Sequence, residues 1–382
     1  MKKFFKFLLI FFIALFILSA GLYIFGYGYI FKAVKTTYLT GHKTAFIDDH
    51  TYFDNRLIKN GDSIQEWVLH KSYNEVDPTS TLDSLNRELG TAAFLIIKND
   101  SLWFEQYYAG YDEYSRTNSF SMAKSITTAL MFKAIQDGYL ENINQPVSDF
   151  FPRFDKDLSL GDLSSMASGL NWNENYYNPF ASTARAYFDD NIREQVLALE
   201  VVEQPGKEFE YLSGNTQLLG MVLEKATGKN LSQYLSESFW EPLGMNDNAL
   251  WQLDSEESGM EKAYCCIASN ARNFGKLGKL FENYGLWDGK QILDSNFVAI
   301  ASQPRFKESP YYGYGFWLSD FKDKQIFYMR GVLGQYVIMI PEDDLVIVRL
   351  GKALIGKNKD DKHYKDFYMY IEETYKMLEN AS

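Results

Sequence analysis

Histidine is scarce in this chain of 382 residues, and its placement argues against the commonest serine-nucleophile site. None of the four histidines lies between residues 71 and 362. A Ser-His-Asp triad would have to bring one of them back to the middle of the chain, and no Gly-x-Ser-x-Gly elbow is present. If the chain has a nucleophilic serine, we expect its base to be lysine or tyrosine.

Cysteine is also scarce, since the chain has only the adjacent pair Cys265 and Cys266. A tetrahedral zinc site needs four ligands, which so few cysteines and histidines supply poorly. We therefore expect no metal and no cofactor. Adjacent cysteines can form a vicinal disulfide in an oxidising compartment, but we expect two buried thiols without a chemical role.

Positive charge is in deficit, because the formal net charge is −12 and the sequence contains no basic stripe. This balance argues against a nucleic-acid partner, which would require a surface that neutralises phosphates. The length is sufficient for one large domain or two modest ones with a sizeable core.

The longest apolar run begins after Lys2 and Lys3 and covers residues 4–25. It is about long enough to cross a bilayer as a helix. We expect residues 1–31 to be an uncleaved membrane anchor rather than a cleaved signal peptide, although residues 18–21 offer a small-residue cleavage site. The basic start places the rest of the chain outside the cytoplasm, in the periplasm or at the cell surface. Cleavage would make the protein secreted instead.

The remaining chain is predicted to have two parts. Residues 32–85 are polar and mixed, and are predicted to form a membrane-proximal arm. Residues 86–382 are predicted to form the main domain. This domain begins with two strands joined by Asn99 and Asp100, a hairpin signal.

Helices and long loops follow the hairpin over about residues 139–283. Four strands are predicted between residues 314 and 350, and a final amphipathic helix over 364–378. Strands, then helices, then strands and a helix predict an α+β fold: an antiparallel sheet flanked by helices, with an inserted all-helical region.

The chain is organised around the turn and helix that begin near Ser121. Ser119 can cap this helix, and Ser121 then lies in its first turn, where free N–H groups favour developing negative charge. Lys124 is three residues later on the same helix face and can reach the Ser121 hydroxyl. Ser-x-x-Lys alone is a weak signal, but the apolar neighbours predict that Lys124 is buried, which favours an uncharged amine able to act as a base.

Two further stretches carry candidate chemistry. Tyr211 and Ser213 precede a helix, and a tyrosine held beside a lysine can act as general base and then as acid. Gly331 and Gly334 flank a strand end, where glycine allows a ligand to approach the backbone closely and a free N–H can bind an oxyanion. Each stretch also has a purely structural interpretation, as a capped loop and as a glycine bulge.

Taken together, Ser121-x-x-Lys124, Tyr211-x-Ser213 and the strand end at Gly331 resemble the serine β-lactamase and penicillin-binding-protein superfamily. Residues 209–220 and 330–336 are most similar to its class C-type branch, in particular to 6-aminohexanoate-oligomer hydrolases and related esterases. The resemblance covers residues 86–352 and implies a β-lactamase/transpeptidase-like fold.

The resemblance implies roles for particular residues. Ser121 would be the acylated nucleophile, Lys124 its activator and Tyr211 the proton shuttle. The backbone N–H groups of Ser121 and Val332 would form the oxyanion hole. Ser213 stands where β-lactamases carry an amide side chain.

The substrate contacts are less closely defined by the resemblance. Besides Ser213 and Gly331, we expect Tyr176 and Tyr177 to form walls of the pocket. The expected protein is a membrane-anchored serine hydrolase that acts on a small-molecule amide or ester without a cofactor.

The third motif departs from the family pattern, because Met329 and Arg330 stand where Lys or His and then Thr or Ser are expected. Arg330 could supply the missing cation, but the next residue of a strand faces the opposite way. A DD-peptidase or weak β-lactamase is therefore the second hypothesis. A third is a binding or sensor module that kept the fold and lost the reaction.

Overall fold

The computed structural model describes residues 1–359 and 361–381; Asp360 and Ser382, which the predicted main domain includes, lie outside the described residues. The strands are β1 (Asn55–Ile58), β2 (Thr91–Lys98), β3 (Ser101–Tyr107), β4 (Thr117–Asn118), β5 (Ala249–Gln252), β6 (Ile267–Ser269), β7 (Leu286–Trp287), β8 (Lys290–Gln291), β9 (Trp317–Ser319), β10 (Ile326–Gly331), β11 (Gln335–Ile340) and β12 (Leu345–Gly351). The helices are α1 (Lys2–Ile24), α2 (Tyr29–Thr36), α3 (Ser80–Glu88), α4 (Met122–Gln136), α5 (Leu160–Ser164), α6 (Ser182–Phe188), α7 (Ile192–Leu197), α8 (Ser213–Thr227), α9 (Leu231–Leu235), α10 (Ala271–Glu282), α11 (Ser295–Ala301) and α12 (Lys365–Asn380).

Six strands form one antiparallel sheet in the order β3-β2-β12-β11-β10-β9. The early hairpin joins the late strands through β2 and β12, where Ile96 pairs with Ile347. The helical region therefore lies between two halves of one sheet in sequence. This arrangement confirms the predicted fold class.

Alternate side chains of the sheet contact different helical layers, as the period of two requires. Leu95 belongs to the same core cluster as α4 and α10, whereas Phe94 stacks on Tyr370 of α12, with ring centroids 5.5 Å apart. Helix α10 lies close to the sheet because Gly278 has no side chain: a β-carbon there would be 2.5 Å from Val337. The sheet is thus covered by helices on both faces.

A smaller sheet, in the order β1-β5-β6-β4, was not predicted from the sequence. Its strands β5 and β6 lie within the region expected to be all-helical, and β1 belongs to residues 32–85. Ile47, Phe53 and Ile58 of that segment are buried in the main core. These strands have only two to four residues each, too few to show the alternation that identifies a strand.

The N-terminal helix α1 has 23 residues and a mean hydropathy of 2.7 over its most apolar window. Its side chains are mostly exposed. By length and composition it can cross a membrane, although a signal sequence has the same properties.

Candidate active site

Ser121 lies on the turn that leads from β4 into α4. The structure corrects the predicted capping: Ser121 itself is the N-cap residue, without a side-chain capping bond. The Ser119 hydroxyl instead accepts a hydrogen bond from the Ile267 N–H at 3.0 Å. Phe120 has φ +45°, a left-handed conformation that side chains rarely adopt. The turn is therefore held by its neighbours and presents Ser121 at the start of the helix.

Lys124 lies one turn further along α4 and is 1% exposed. Its Nζ donates hydrogen bonds to Ser121 Oγ at 3.0 Å and to the Tyr264 carbonyl at 3.2 Å. It also lies 4.9 Å from the centre of the Tyr211 ring. The three residues that the sequence predicted as catalytic are therefore together.

Tyr211 is fixed by an aromatic cluster. Its ring is 5.4 Å from that of Trp317 and 6.0 Å from that of Tyr312. Burial raises the pKa of Tyr312 well above its usual value, and the nearby Tyr211 adds to the effect. This packing holds the Tyr211 ring beside Lys124 Nζ.

The end of β10 forms another wall of the site. Strand β9 pairs with residues 326–328 of β10, and among the described residues no strand pairs with Met329 to Gly331 on that side. Within residues 1–359 and 361–381, neither the Ser121 N–H nor the Val332 N–H donates to a protein acceptor. Both amides are thus available for an oxyanion.

The turn that carries Val332 is held by a buried arginine that the sequence analysis did not single out. Arg349 Nη1 donates hydrogen bonds to the carbonyls of Leu333 and Gly334, at 2.8 and 2.7 Å. Gln335 Nε2 also donates to the Val332 carbonyl at 3.0 Å. These bonds orient the peptide units beside the Val332 amide.

Glu174 connects the loop that carries Tyr176 and Tyr177 to the Tyr211-x-Ser213 motif. Its carboxylate accepts hydrogen bonds from the Ser213 N–H and hydroxyl, both at 2.7 Å, and from the Tyr176 hydroxyl at 2.6 Å. A carboxylate here is favoured because Ser213 begins α8, where free N–H groups point outward. Ser213 is therefore engaged with Glu174, which the sequence analysis did not predict.

The two predicted tyrosine walls differ in position. Tyr176 is 46% exposed, and its hydroxyl is held by the Glu174 carboxylate. Burial raises its pKa well above the usual value, with additional effects from Glu174 and Tyr211. Tyr176 thus lies near Tyr211, whereas Tyr177 is 89% exposed and points to solvent.

Arg330 also borders the site. Its guanidinium stacks 3.3 Å from the ring centre of Trp317 and donates to the Lys362 carbonyl at 2.9 Å. Trp317 in turn packs against Tyr211. Trp317 pairs with Tyr328, which lies two residues before Arg330 on the same face of β10, so the Arg330 side chain meets the aromatic cluster around Tyr211.

A buried carboxylate from outside the predicted motifs supports the turn that carries Ser121. Asp49 accepts hydrogen bonds from Asn118 Nδ2 at 2.9 Å and from the Tyr187 hydroxyl at 2.6 Å. Asn118 Oδ1 accepts from the Phe120 N–H at 2.8 Å. Burial raises the pKa of Asp49, partly offset by these hydrogen bonds. These hydrogen bonds connect Asp49 through Asn118 to Phe120, the residue immediately before Ser121.

The adjacent cysteines form a disulfide, so the prediction of two buried thiols was wrong. The backbone makes the bond possible because Cys266 has φ +73° and turns the two side chains toward each other. The pair lies between Tyr264, which holds Lys124, and Ile267, whose carbonyl accepts from the Ser119 N–H at 2.8 Å. The disulfide therefore belongs to the support of the site.

Two observations complete the chemistry of the site. Tyr264 has a buried hydroxyl without a hydrogen-bond partner among the described residues, and its ring is 5.6 Å from Lys124 Nζ. Among the same residues, no group of three His, Cys, Asp or Glu side chains could hold a metal ion. The groups assembled here are suited to proton transfer and nucleophilic attack.

This fold and this arrangement define a known class of proteins. The chain belongs to the Beta-lactamase family, whose model matches residues 79–366. It is similar to the 6-aminohexanoate-dimer hydrolase of Paenarthrobacter ureafaciens, with 23% identity over 310 residues, 74% of this chain and 77% of the relative. It is 24% identical over 205 residues to Protein flp of Staphylococcus aureus (strain N315), covering 50% of this chain but only 40% of that relative.

Solved structures agree with this fold. One assigned as a 6-aminohexanoate-dimer hydrolase from Bacillus anthracis matches with a TM-score of 0.74 and 20% identity, covering 87% of this chain and 92% of the other. A family VIII carboxylesterase matches with a TM-score of 0.64 and 15% identity, covering 82% and 99%. The family and fold expected from the motifs are confirmed.

Proposed function

We propose that this protein is a serine hydrolase that cleaves an amide or ester bond through an acyl-enzyme on Ser121. The observation that carries the proposal is the 3.0 Å hydrogen bond between Lys124 Nζ and Ser121 Oγ. Within the part of the chain that the structure describes, Lys124 bonds to this hydroxyl and to a carbonyl, not to a carboxylate. A buried lysine without a counter-ion is costly, and proton exchange with Ser121 gives it a purpose.

In the first half of the proposed reaction, Ser121 Oγ attacks the substrate carbonyl carbon and its proton passes to Lys124 Nζ. The oxyanion binds to the N–H groups of Ser121 and Val332. Tyr211 donates its hydroxyl proton to the leaving nitrogen or oxygen as the bond to the carbonyl carbon breaks. Lys124 then returns a proton to Tyr211. The product of this half is the acyl-enzyme on Ser121.

In the second half, water attacks the acyl carbon and gives its proton to the Tyr211–Lys124 pair. The bond to Ser121 Oγ breaks, and that oxygen takes the proton back. The carboxylic acid product dissociates, and the free enzyme is regenerated. Ser213, Tyr176, Tyr177 and Gly331 are the proposed substrate contacts, and the unpartnered Tyr264 hydroxyl could donate a further hydrogen bond to the substrate.

We propose that α1 anchors the protein in a membrane with the hydrolase domain outside the cytoplasm. Its length and apolar character support this location, and the basic residues Lys2 and Lys3 support the orientation. If the segment is cleaved, the domain is secreted.

Two experiments test the reaction. Full-length protein in detergent is exposed to a fluorophosphonate and, separately, to a penicillin, and adducts are measured by intact mass spectrometry. We expect a fluorophosphonate adduct in wild type that Ser121→Ala abolishes and that Lys124→Met slows by roughly a hundredfold or more. Lys133→Met, on the same helix, is the control and should react at the wild-type rate.

The penicillin result separates the alternatives. A stable penicilloyl adduct would favour a DD-peptidase or weak β-lactamase, against which the absence of the usual cation at Met329 counts. No adduct with either reagent on folded protein would contradict the enzyme proposal and favour a binding or sensor module.

A further inference from the structure

Helix α2 has two different faces. On the inner face Tyr29 and Thr36 are buried, and Lys32 Nζ bonds to Asp190 at 2.6 Å. On the outer face Phe31 and Val34 are exposed by 43% and 38%. The residues that follow, Tyr38 and Leu39, are exposed by 63% and 77%, and extend the same apolar stripe. A soluble surface helix would normally place polar side chains there.

The apolar stripe on α2 follows closely after the apolar helix α1 in the sequence. At 1.5 Å per residue, its 23 residues extend over about 35 Å, slightly more than the hydrocarbon core of a bilayer. Only residues 25–28 separate it from α2, with Gly26 at φ +78° making the turn. Helix α2 therefore begins where the apolar segment would leave the hydrocarbon.

The inner side of the junction between α1 and α2 contacts the loop that carries Glu174 and Tyr176 in the candidate active site. The Tyr29 hydroxyl donates a hydrogen bond to the Pro179 carbonyl at 2.8 Å. The rings of Tyr27 and Phe180 pack edge to face, with centroids 5.4 Å apart. At its other end the same loop carries Glu174, which bonds to Ser213 beside Tyr211. A single loop thus connects the membrane-side helix to the catalytic groups.

We infer that α2 lies in the membrane–water interface, with the mouth of the Ser121 site at the level of the lipid headgroups. The substrate class that follows is a membrane-resident amphiphile whose ester or amide bond lies near its headgroup. Aromatic side chains favour this interface, and the exposed Lys35 beside the stripe can extend toward anionic headgroups. The substrate part of this inference rests on the proposed function, whereas the placement of α2 does not.

The placement is tested on the full chain in nanodiscs of phosphatidylcholine and phosphatidylglycerol. Single cysteines at Phe31→Cys, Phe180→Cys and Ile300→Cys carry an environment-sensitive fluorophore, and nitroxide-labelled lipids serve as quenchers. Ile300 on α11 is the matched control because its exposure, 41%, is close to that of Phe31. We expect quenching at the first two positions only.

Three results would overturn the placement. They are no quenching at Phe31 and Phe180, equal quenching at all three positions, and protection of the Phe31 label that depends on protein concentration. The last result would indicate that a second copy of the chain covers α2.

The substrate class is tested with two fluorogenic esters: a long-chain ester embedded in the nanodisc and a short-chain, water-soluble ester. Phe31→Ser and Phe180→Ser should raise KM for the embedded ester roughly tenfold, because each removes an interfacial contact, and should leave turnover of the soluble ester unchanged. Ile300→Ser should alter neither.

The two proposals fail in different ways. If Ser121 reacts with fluorophosphonate but Phe31→Ser and Phe180→Ser change the kinetics of both esters equally, the inferred substrate class is wrong and the hydrolase proposal stands. If Ser121 is unreactive while the labels at Phe31 and Phe180 are quenched, the hydrolase proposal fails and the placement of α2 stands.

Discussion

Gly331 lies directly against the carbonyl oxygen of Ser119, so closely that a β-carbon on Gly331 would be 2.3 Å from that oxygen. The contact joins the end of β10 to the turn that presents Ser121. It fixes the Val332 amide relative to Ser121, which the proposed oxyanion hole requires. The glycine is needed here for close approach of one backbone to another.

Gly331→Ala should therefore disrupt the site. Since the new methyl group meets a backbone oxygen, β10 or the nucleophile turn must move, and a shift of about 1 Å can cost roughly a hundredfold in rate. We expect slower fluorophosphonate labelling of Ser121 and a lower melting temperature. Gly356→Ala is the control because a β-carbon there has no neighbour within 4 Å. Wild-type labelling by Gly331→Ala would contradict the assigned oxyanion geometry.

Asp49→Asn should impair catalysis indirectly, because Asp49 acts on the site through Asn118 and Phe120 and not by touching the substrate. An amide there would face the Asn118 amide and leave hydrogen bonds unmade, at a cost of about 1–3 kcal/mol in the free energy of unfolding. Because Asn118 holds the Phe120 N–H, we expect kcat to fall more than KM changes. Asp48→Asn is the neighbouring control. Equal effects on kcat in the two variants would indicate general destabilisation instead.

Loss of the Cys265–Cys266 disulfide should slow the reaction of Ser121. The bond holds the segment that carries the Tyr264 carbonyl and Ile267, so without it Cys266 is free to leave its left-handed conformation. We expect the double variant Cys265→Ser/Cys266→Ser to react with fluorophosphonate more slowly than wild type, by a factor of up to about ten.

The state of the cysteines can be checked separately. Native wild-type protein should take up no iodoacetamide until it is unfolded and reduced, as measured by intact mass. Alkylation of the unfolded chain without a reductant would contradict the disulfide. Labelling of the double variant at the wild-type rate would contradict its role in the site.

Stability should depend on pH through His363, which lies 2.7 Å from the Tyr328 hydroxyl. Burial, and secondarily the charge of Arg330, lowers the pKa of His363 from 6.5 to about 4. The unfolded chain therefore binds the proton between these values, so the stabilisation is complete above about pH 6.5 and is lost as pH falls toward 4. The full effect is roughly 3 kcal/mol.

Urea unfolding of wild type and His363→Gln at neutral and mildly acidic pH measures this effect. Glutamine keeps a hydrogen-bonding group beside Tyr328 but does not titrate. We expect the stability advantage of wild type to shrink as pH falls. A difference between the two proteins that is independent of pH would show that His363 has an ordinary pKa.

The main sheet and the three motifs were predictable because they depend on local order along the chain. Ser121 and Lys124 are three residues apart on a helix, a spacing that by itself brings their side chains together. The strands at both ends of the chain have clear turn signals between them, and an antiparallel sheet follows from their order. The predicted burial of Lys124 followed from its apolar neighbours and is confirmed.

The supporting groups were not predictable because their partners are far away in sequence. Asp49 meets Asn118 across 69 positions, and Glu174 meets Ser213 across 39. A single aspartate or glutamate in a polar segment has no periodicity that would identify such a partner. The Cys265–Cys266 bond likewise depends on a backbone angle that composition does not reveal.

The sequence alone determined the order along the chain of the strands in the six-stranded sheet, the apolar N-terminal helix and the Ser121, Lys124 and Tyr211 motifs, since each is a short pattern with a fixed period or spacing. Only the tertiary structure decided that Asp49, Glu174 and Arg349 hold those motifs in place, and that α2 contacts the loop over the site. Burial and hydrogen bonding between distant segments are properties of the folded chain, and they appear only when the whole core is assembled.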